Sequence, residues 1–212
     1  YSLKWVGKDN PILINDDRYA LAGVLAPKSA ADLAFTMHML SHLKESGICA
    51  IVEFPGVLYR GGAEKQIREY LIQNNYVDTV IQLPANLFYG VGIATCIFVL
   101  KRGKKKDGNV LLIDASNEFV KNGNKNLLEQ RNIDKIVNAY INRKDEQYFC
   151  KLVSNEEIIA NECNLTVQRY VEQEDTREKI DIKAVNKDIE KVVEKVNGLR
   201  DKVNEFIEEK EG

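Results

Sequence analysis

Residues 48–102 carry the strongest constraint in the chain. Ile48-Cys49-Ala50-Ile51-Val52 is an apolar run of strand length, and Arg60-Gly61-Gly62 is a turn. Residues 63–75 have the spacing of an amphipathic helix, with Ile67, Leu71 and Ile72 on its apolar face. Two more strand-length runs follow at residues 77–83 and 95–100, and another at 110–114. The near-continuous apolar character of residues 48–53 predicts burial on both faces, the habit of a parallel sheet. Strand, helix, strand in that order predicts a right-handed crossover in a doubly wound sheet. The loop at 84–94 is too short to hold a crossover helix, so the strand at 95–100 is expected to return antiparallel.

The flanks are less regular. Residues 1–28 hold no sustained period and are punctuated by Trp5, Gly7, Pro11, Gly23 and Pro27, which reads as a long loop. A loop of that length is uncommon in a compact domain unless it is functional. Ser29 is a natural N-cap with Asp32 three residues on, so a helix is expected from there to Gly47, burying Leu33, Met37, Leu40 and Leu43. A helix is predicted over 127–142, a shorter one over 152–160 capped by Ser154, and a short strand near 161–170. In the tail, Val185, Ile189, Val192, Val196, Leu199, Val203 and Phe206 alternate spacings of four and three, the seam of a coiled coil. Such a helix must dock on the protein's own body or on a partner. The expected organisation is an α/β region at 1–116, a mixed and mainly helical region at 117–180, and a coiled-coil-like helix at 181–212. The chain begins at Tyr1 rather than Met, which reads as the back half of something larger.

Composition removes several classes. No apolar run approaches the roughly 20 residues of a bilayer span, and no secretory leader is visible, so a cytoplasmic protein is expected. Cys49, Cys96, Cys150 and Cys163 form no C-x-x-C pair, and two lie inside apolar strands, as reduced buried thiols do. The net charge of −2 is uneven: residues 1–106 hold 13 Lys and Arg against 9 Asp and Glu, and the remainder 17 against 23. The basic run at 101–106 belongs to the positive half; alone it reads as a solvated loop, though the asymmetry permits a nucleic-acid partner. His38 and His42 have a metal-ligand spacing but no third ligand beside them, so no metal site is expected.

An ordered set of short motifs adds a family. Tyr1-Ser2-Leu3-Lys4-Trp5, Asn10-Pro11, Asp17-Arg18-Tyr19, Asp32-Leu33-Ala34-Phe35 with His38, Phe54-Pro55-Gly56, Leu58-Tyr59-Arg60-Gly61-Gly62 and Leu83-Pro84-Ala85-Asn86-Leu87-Phe88-Tyr89-Gly90 occur in sequence. Together they resemble the modification subunit of type I restriction–modification systems, an N6-adenine DNA methyltransferase. The resemblance implies the second half of a Rossmann-like, S-adenosylmethionine-dependent methyltransferase sheet, closed by an antiparallel hairpin and followed by C-terminal helices. It implies double-stranded DNA as substrate, and as partners a specificity subunit, a restriction subunit and a second modification subunit. Membrane association is not expected.

That chemistry needs the target adenine out of the stack, its amino group aligned with the methyl donor, and a flat side chain against the base. In the family an Asn-Pro-Pro-Tyr motif supplies the acceptors and the aromatic. Here the resemblance assigns only Tyr1, the catalytic candidate, and the Asn and prolines would precede it. The glycine-rich loop for the cofactor would also lie upstream, since no G-x-G-x-x-G follows a strand in this sequence. Substrate-binding candidates are Phe35 on the first helix, Phe88 and Tyr89 in the loop after the second strand, and Arg60 before the second helix. Phe88 and Tyr89 either line the base pocket or cap the core. Arg60, Lys65 and Arg68 flank a helix N-terminus, where they either meet phosphate or solubilise the helix. Two rival readings are a solitary adenine methyltransferase and a non-catalytic docking fragment.

Overall fold

A computed structural model describes residues 2–104, 108–174 and 181–211. The chain divides into two units, residues 1–173 and 174–212, and each is described separately. Tyr1 and residues 105–106 of the basic run lie outside the described residues.

The first unit is built on a five-stranded mixed sheet. Its strands are β1 (Ile48–Glu53), β2 (Val77–Gln82), β3 (Cys96–Lys101), β4 (Asn109–Asp114) and β7 (Cys150–Ser154), in the order β1-β3-β2-β4-β7. β3 lies antiparallel between β1 and β2, β4 runs parallel to β2, and β7 is antiparallel to β4. The short loop at 84–94 does return the chain antiparallel. A separate two-stranded hairpin, β5 (Val120–Asn122) and β6 (Lys125–Leu127), stands beside the sheet.

Alternation along the central strands feeds two cores. Val80, Val110 and Leu112 join Leu33, Met37 and Leu40 of α1 (Asp32–Ser41), Ile67, Leu71 and Ile72 of α2 (Ala63–Gln73), and Ile158 of α4 (Asn155–Ala160). Ile81, Leu111 and Ile113 face the other way, onto Ile136 and Ala139 of α3 (Gln130–Asn142) and Phe149. β2 is buried along its whole length.

Several expectations are corrected. β1 is an edge strand with one buried face, because Cys49 and Glu53 turn inward while Ile48 and Val52 stay half exposed. An apolar run alone does not separate this case from a two-faced one. α1 starts at Asp32, not after Ser29: Asp32 Oδ1 accepts the Ser2 N–H at 2.8 Å, and no side chain caps the helix. The helix also stops at Ser41 and not at Gly47, which sits in a turn closed onto the Lys44 carbonyl. Residues 161–170 form turns and a 3-10 segment at Val167–Arg169 rather than a strand. Residues 152–154, expected to open a helix, belong instead to β7, which carries the sheet past residue 116. Ser154 caps α4 as expected, accepting the Glu157 N–H at 3.1 Å. All four cysteines are free and buried.

Arg68 is the largest side chain fully buried in this unit. Its Nε donates to the Cys163 carbonyl and its Nη1 to the Val57 carbonyl, both at 2.9 Å. One guanidinium therefore ties the loop after β1 to the turn after α4. The expected solubilising or phosphate-binding role for Arg68 is excluded by this burial.

The second unit is the helix α5 (Ile182–Glu211). The seven seam residues from Val185 to Phe206 are all exposed, between 44% and 68%. Among the described residues no helix is long and apolar enough to cross a membrane.

Arg68→Met keeps much of the side-chain volume but leaves two buried carbonyls without donors. A loss of about 3 kcal/mol is expected, read as a lowered urea midpoint; an unchanged midpoint would show that neither bond matters.

Candidate active-site edge

Register places one end of each inner strand at a common edge. Glu53 of β1 and Gln82 of β2 both pair with Cys96 at the start of β3, and Gln82 pairs with Asp114 of β4. The loops after β1, β2 and β4 therefore leave from the carboxyl ends of the parallel strands, where open α/β sheets bind ligands.

Three acids converge here. Glu53, Asp32 and Glu64 are each no more than 6% exposed. Thr36, one turn into α1, donates its hydroxyl to Glu53 Oε1 at 2.7 Å. Burial pushes the Glu53 carboxyl up to about 7, opposed by the Thr36 hydrogen bond and reinforced by the negative charges of Asp32 and Glu64. Glu64 is also raised by burial, with Arg60 and Arg68 pulling the other way. Among the described residues, Asp32 Oδ2 and the Thr95 hydroxyl are buried without a hydrogen-bond partner. The Cys96 thiol, next to Glu53, is pushed up to about 12 by burial, which holds it away from the thiolate form.

Arg60 lies over the Phe54 ring at 4.9 Å and reaches Glu64 at 3.8 Å. This stack explains the glycine between them in sequence. A Cβ at Gly56 would come within 2.6 Å of Phe54 Cε1 and 2.7 Å of Arg60 Cζ. Lys65 instead pairs with Glu162 at 3.2 Å.

The predicted residues distribute around this edge. Phe35 is 51% exposed and neighbours Thr36 on α1. Phe88 and Tyr89 stand in the loop between β2 and β3, 38% and 94% exposed, so Tyr89 does not cap the core; Leu87 packs there instead. Arg60 is half-buried in its stack. The structure brings Arg60 to the acids and leaves Phe35, Phe88 and Tyr89 facing solvent. Sequence reasoning missed the acids themselves. The available signal was an isolated Glu53 closing an apolar strand, and Asp32 and Thr36 at i, i+4 on an otherwise apolar helix face. His38 and His42 form an aromatic chain with Tyr19, ring centroids 5.4 Å and 4.5 Å apart. No cluster able to hold a metal ion occurs among the described residues.

A reversed strand set between two parallel ones, with three buried acids at one edge of the sheet, defines a mixed α/β scaffold. Comparison with known proteins gives its family. The model of the family described as N-6 DNA Methylase matches residues 1–179, and the chain belongs to that family. It is 45% identical over 209 residues to the type I restriction enzyme MpnII methylase subunit of Mycoplasma pneumoniae, covering 99% of this chain and 38% of that protein. It is 33% identical over 206 residues to the MjaVII methylase subunit of Methanocaldococcus jannaschii, covering 95% and 35%. Among solved structures, the type I restriction–modification methyltransferase subunit from Streptococcus thermophilus superposes with a TM-score of 0.77 at 45% identity, over 81% of this chain and 36% of that one. The chain thus spans a little over a third of the length of the relatives it matches.

Glu53 gives a pH test. Its carboxyl titrates higher in the folded protein than its ordinary 4.5, so the folded state holds the proton longer. Stability therefore falls as pH rises from about 4.5 to about 7, by an amount on the order of 3 kcal/mol. Glu53→Gln keeps the acceptor for Thr36 and removes the charge. It should unfold at higher urea than the parent at pH 8 and alike at pH 4.5; parallel curves at both values would refute a buried, uncompensated charge.

Proposed function

We propose that the chain is part of a type I methylase subunit that transfers a methyl group from S-adenosylmethionine to adenine N6 in DNA. The observation that carries this is the identity with type I methylase subunits along 99% of the chain. The sheet supports it. β1 and β2 run parallel with β3 reversed between them, which fits the closing end of a Rossmann-like methyltransferase sheet. β1 is the end strand of the described sheet, which leaves its outer side as a pairing surface for further strands of the same subunit.

The residues present do not make a holder for S-adenosylmethionine. No G-x-G-x-x-G run follows a described strand, and Gly90-Val91-Gly92 after β2 leads into β3 rather than into a helix. No step is therefore routed through the cofactor here. In this reading the chain supplies the substrate side of the site. Tyr1 stacks on the extruded adenine, while Phe35, Phe88 and Tyr89 shield the opening from water and Arg60 contacts phosphate.

Target recognition is assigned to a separate specificity subunit, with the restriction subunit and a second methylase subunit completing a cytoplasmic assembly. The apolar stripe of α5 is the surface proposed to dock on the specificity subunit. Its seven exposed seam residues also favour a docking role for this part of the chain whatever the catalytic outcome.

The test uses the whole subunit with its specificity subunit, labelled cofactor and duplex DNA. N6-methyladenine should be recovered after digestion, and Phe88→Ala with Tyr89→Ala should lower kcat at least tenfold with cofactor affinity within twofold. Absence of labelled adenine would overturn the reading. Removing residues 182–211 should abolish co-purification with the specificity subunit and leave the circular dichroism of the first unit intact; undiminished capture would refute the docking role of α5.

A further inference from the structure

The β5–β6 hairpin has no place in the core and no role in the reading above. Its strands carry three residues each, and Lys121 and Asn122 of β5 are exposed. What it does touch is the loop between β2 and β3. Asn126 donates its backbone N–H to the Asn86 carbonyl at 3.0 Å and its Nδ2 to the Ala85 carbonyl at 2.7 Å. Lys125 Nζ donates to the Phe88 carbonyl at 2.9 Å. Three of the four carbonyls from 85 to 88 are thereby drawn to two consecutive residues of β6.

The grip has a conformational cost and a consequence. Asn86 sits at φ +57, in the left-handed region that few non-glycine residues enter. Such strain persists where surrounding bonds over-determine it, and the Asn126 side chain that supplies one of them is 7% exposed. With its carbonyls turned to the hairpin, the loop leaves Phe88 and Tyr89 at a solvent-facing tip that also includes Ile93, 48% exposed. An exposed apolar tip held by a polar hairpin is an interaction surface rather than a piece of core.

Charge selects the occupant. From Val120 to Leu127 the hairpin holds Lys121 and Lys125 and no acid, and neither lysine pairs with a carboxylate among the described residues. Lys121, Asn122 and Asn124 are exposed at its turn. Glu118 and Glu129, which flank the hairpin, are engaged by Lys135 and Arg131. A cationic, amide-rich turn beside projecting aromatics matches a phosphate backbone next to bases that can be unstacked.

We propose that the β5–β6 hairpin is a DNA-contacting element that grips the duplex backbone through Lys121 and holds the Phe88–Tyr89 tip in position against the bases. Asn126 acts as a positioning residue through the loop. The inference rests on the methyltransferase reading for its substrate, and its test separates the two.

Affinity is measured for a plasmid-derived duplex with the methylase subunit assembled on its specificity subunit, across a salt series. Lys121→Glu should weaken binding at least fivefold and reduce the salt slope by about one; unchanged affinity and slope would overturn the backbone contact. Asn126→Leu should lower the methylation rate at least tenfold with cofactor affinity within twofold. Lys125→Met, a milder change at a partly exposed site, should lower the rate severalfold and serves if Asn126→Leu unfolds. Where wild-type methylation has mapped the target adenine, 2-aminopurine placed there reports base extrusion, and both variants should diminish its fluorescence rise. Wild-type rates and fluorescence in both would overturn the positioning role. A parent enzyme that binds DNA through Lys121 yet methylates no adenine would overturn the methyltransferase reading and leave the hairpin contact standing.

Discussion

The reversed strand β3 is the constraint on which the rest of the first unit depends. Seated between β1 and β2, it pairs residue by residue with β1 and, past a bulge at Asp78, with β2. That seat fixes the distance between two strands that would otherwise be neighbours. It also brings Glu53, Cys96 and Gln82 into one row at the sheet edge. The loops that carry Arg60 and the Phe88–Tyr89 tip leave from that row. Were β3 absent, the acids and the aromatics would belong to unrelated surfaces.

Around this frame, buried polar groups do the tying. Arg68 joins the loop after β1 to the turn after α4 through two carbonyls, and the Leu165 N–H to the Leu58 carbonyl at 2.9 Å repeats the link. Arg143, in left-handed backbone at the end of α3, reaches the Asp78 carboxylate at 3.2 Å and the Asn109 carbonyl at 3.3 Å. Such contacts contribute little net energy when made and cost several kcal/mol when broken. They specify which loop meets which strand, while the apolar faces of β2 and β4 supply the bulk of the driving force.

Much of this was legible in the residues. The period of Ile67, Leu71 and Ile72 gave α2, the apolar runs gave four strands, and the short loop at 84–94 gave the antiparallel return. What stayed hidden has a physical reason in each case. β7 and the strands of the β5–β6 hairpin are three to five residues long, too short for a two-residue period to read. The exposed face of β1 looks apolar because Ile48 and Val52 are apolar whether or not they are covered. The start of α1 was misplaced because Asp32 is recruited by Ser2, thirty residues away, a bond that local capping rules cannot see. Arg60, which the structure brings to the acids, and the loop aromatics, which it leaves facing solvent, were named through the family resemblance. The acid cluster was not, since Asp32, Glu53 and Glu64 come from three elements joined only by the fold.

The free edge of β1 bears on how the molecule can live. Among the described residues no strand pairs with its outer side, and Ile48, Ala50 and Val52 on one face are exposed, a template for an extended chain. Nothing along Ile48–Glu53 blunts it: the strand has no proline, and its one charge, Glu53, points inward. An uncovered edge of this kind favours strand-by-strand association, which a strand laid over it would prevent.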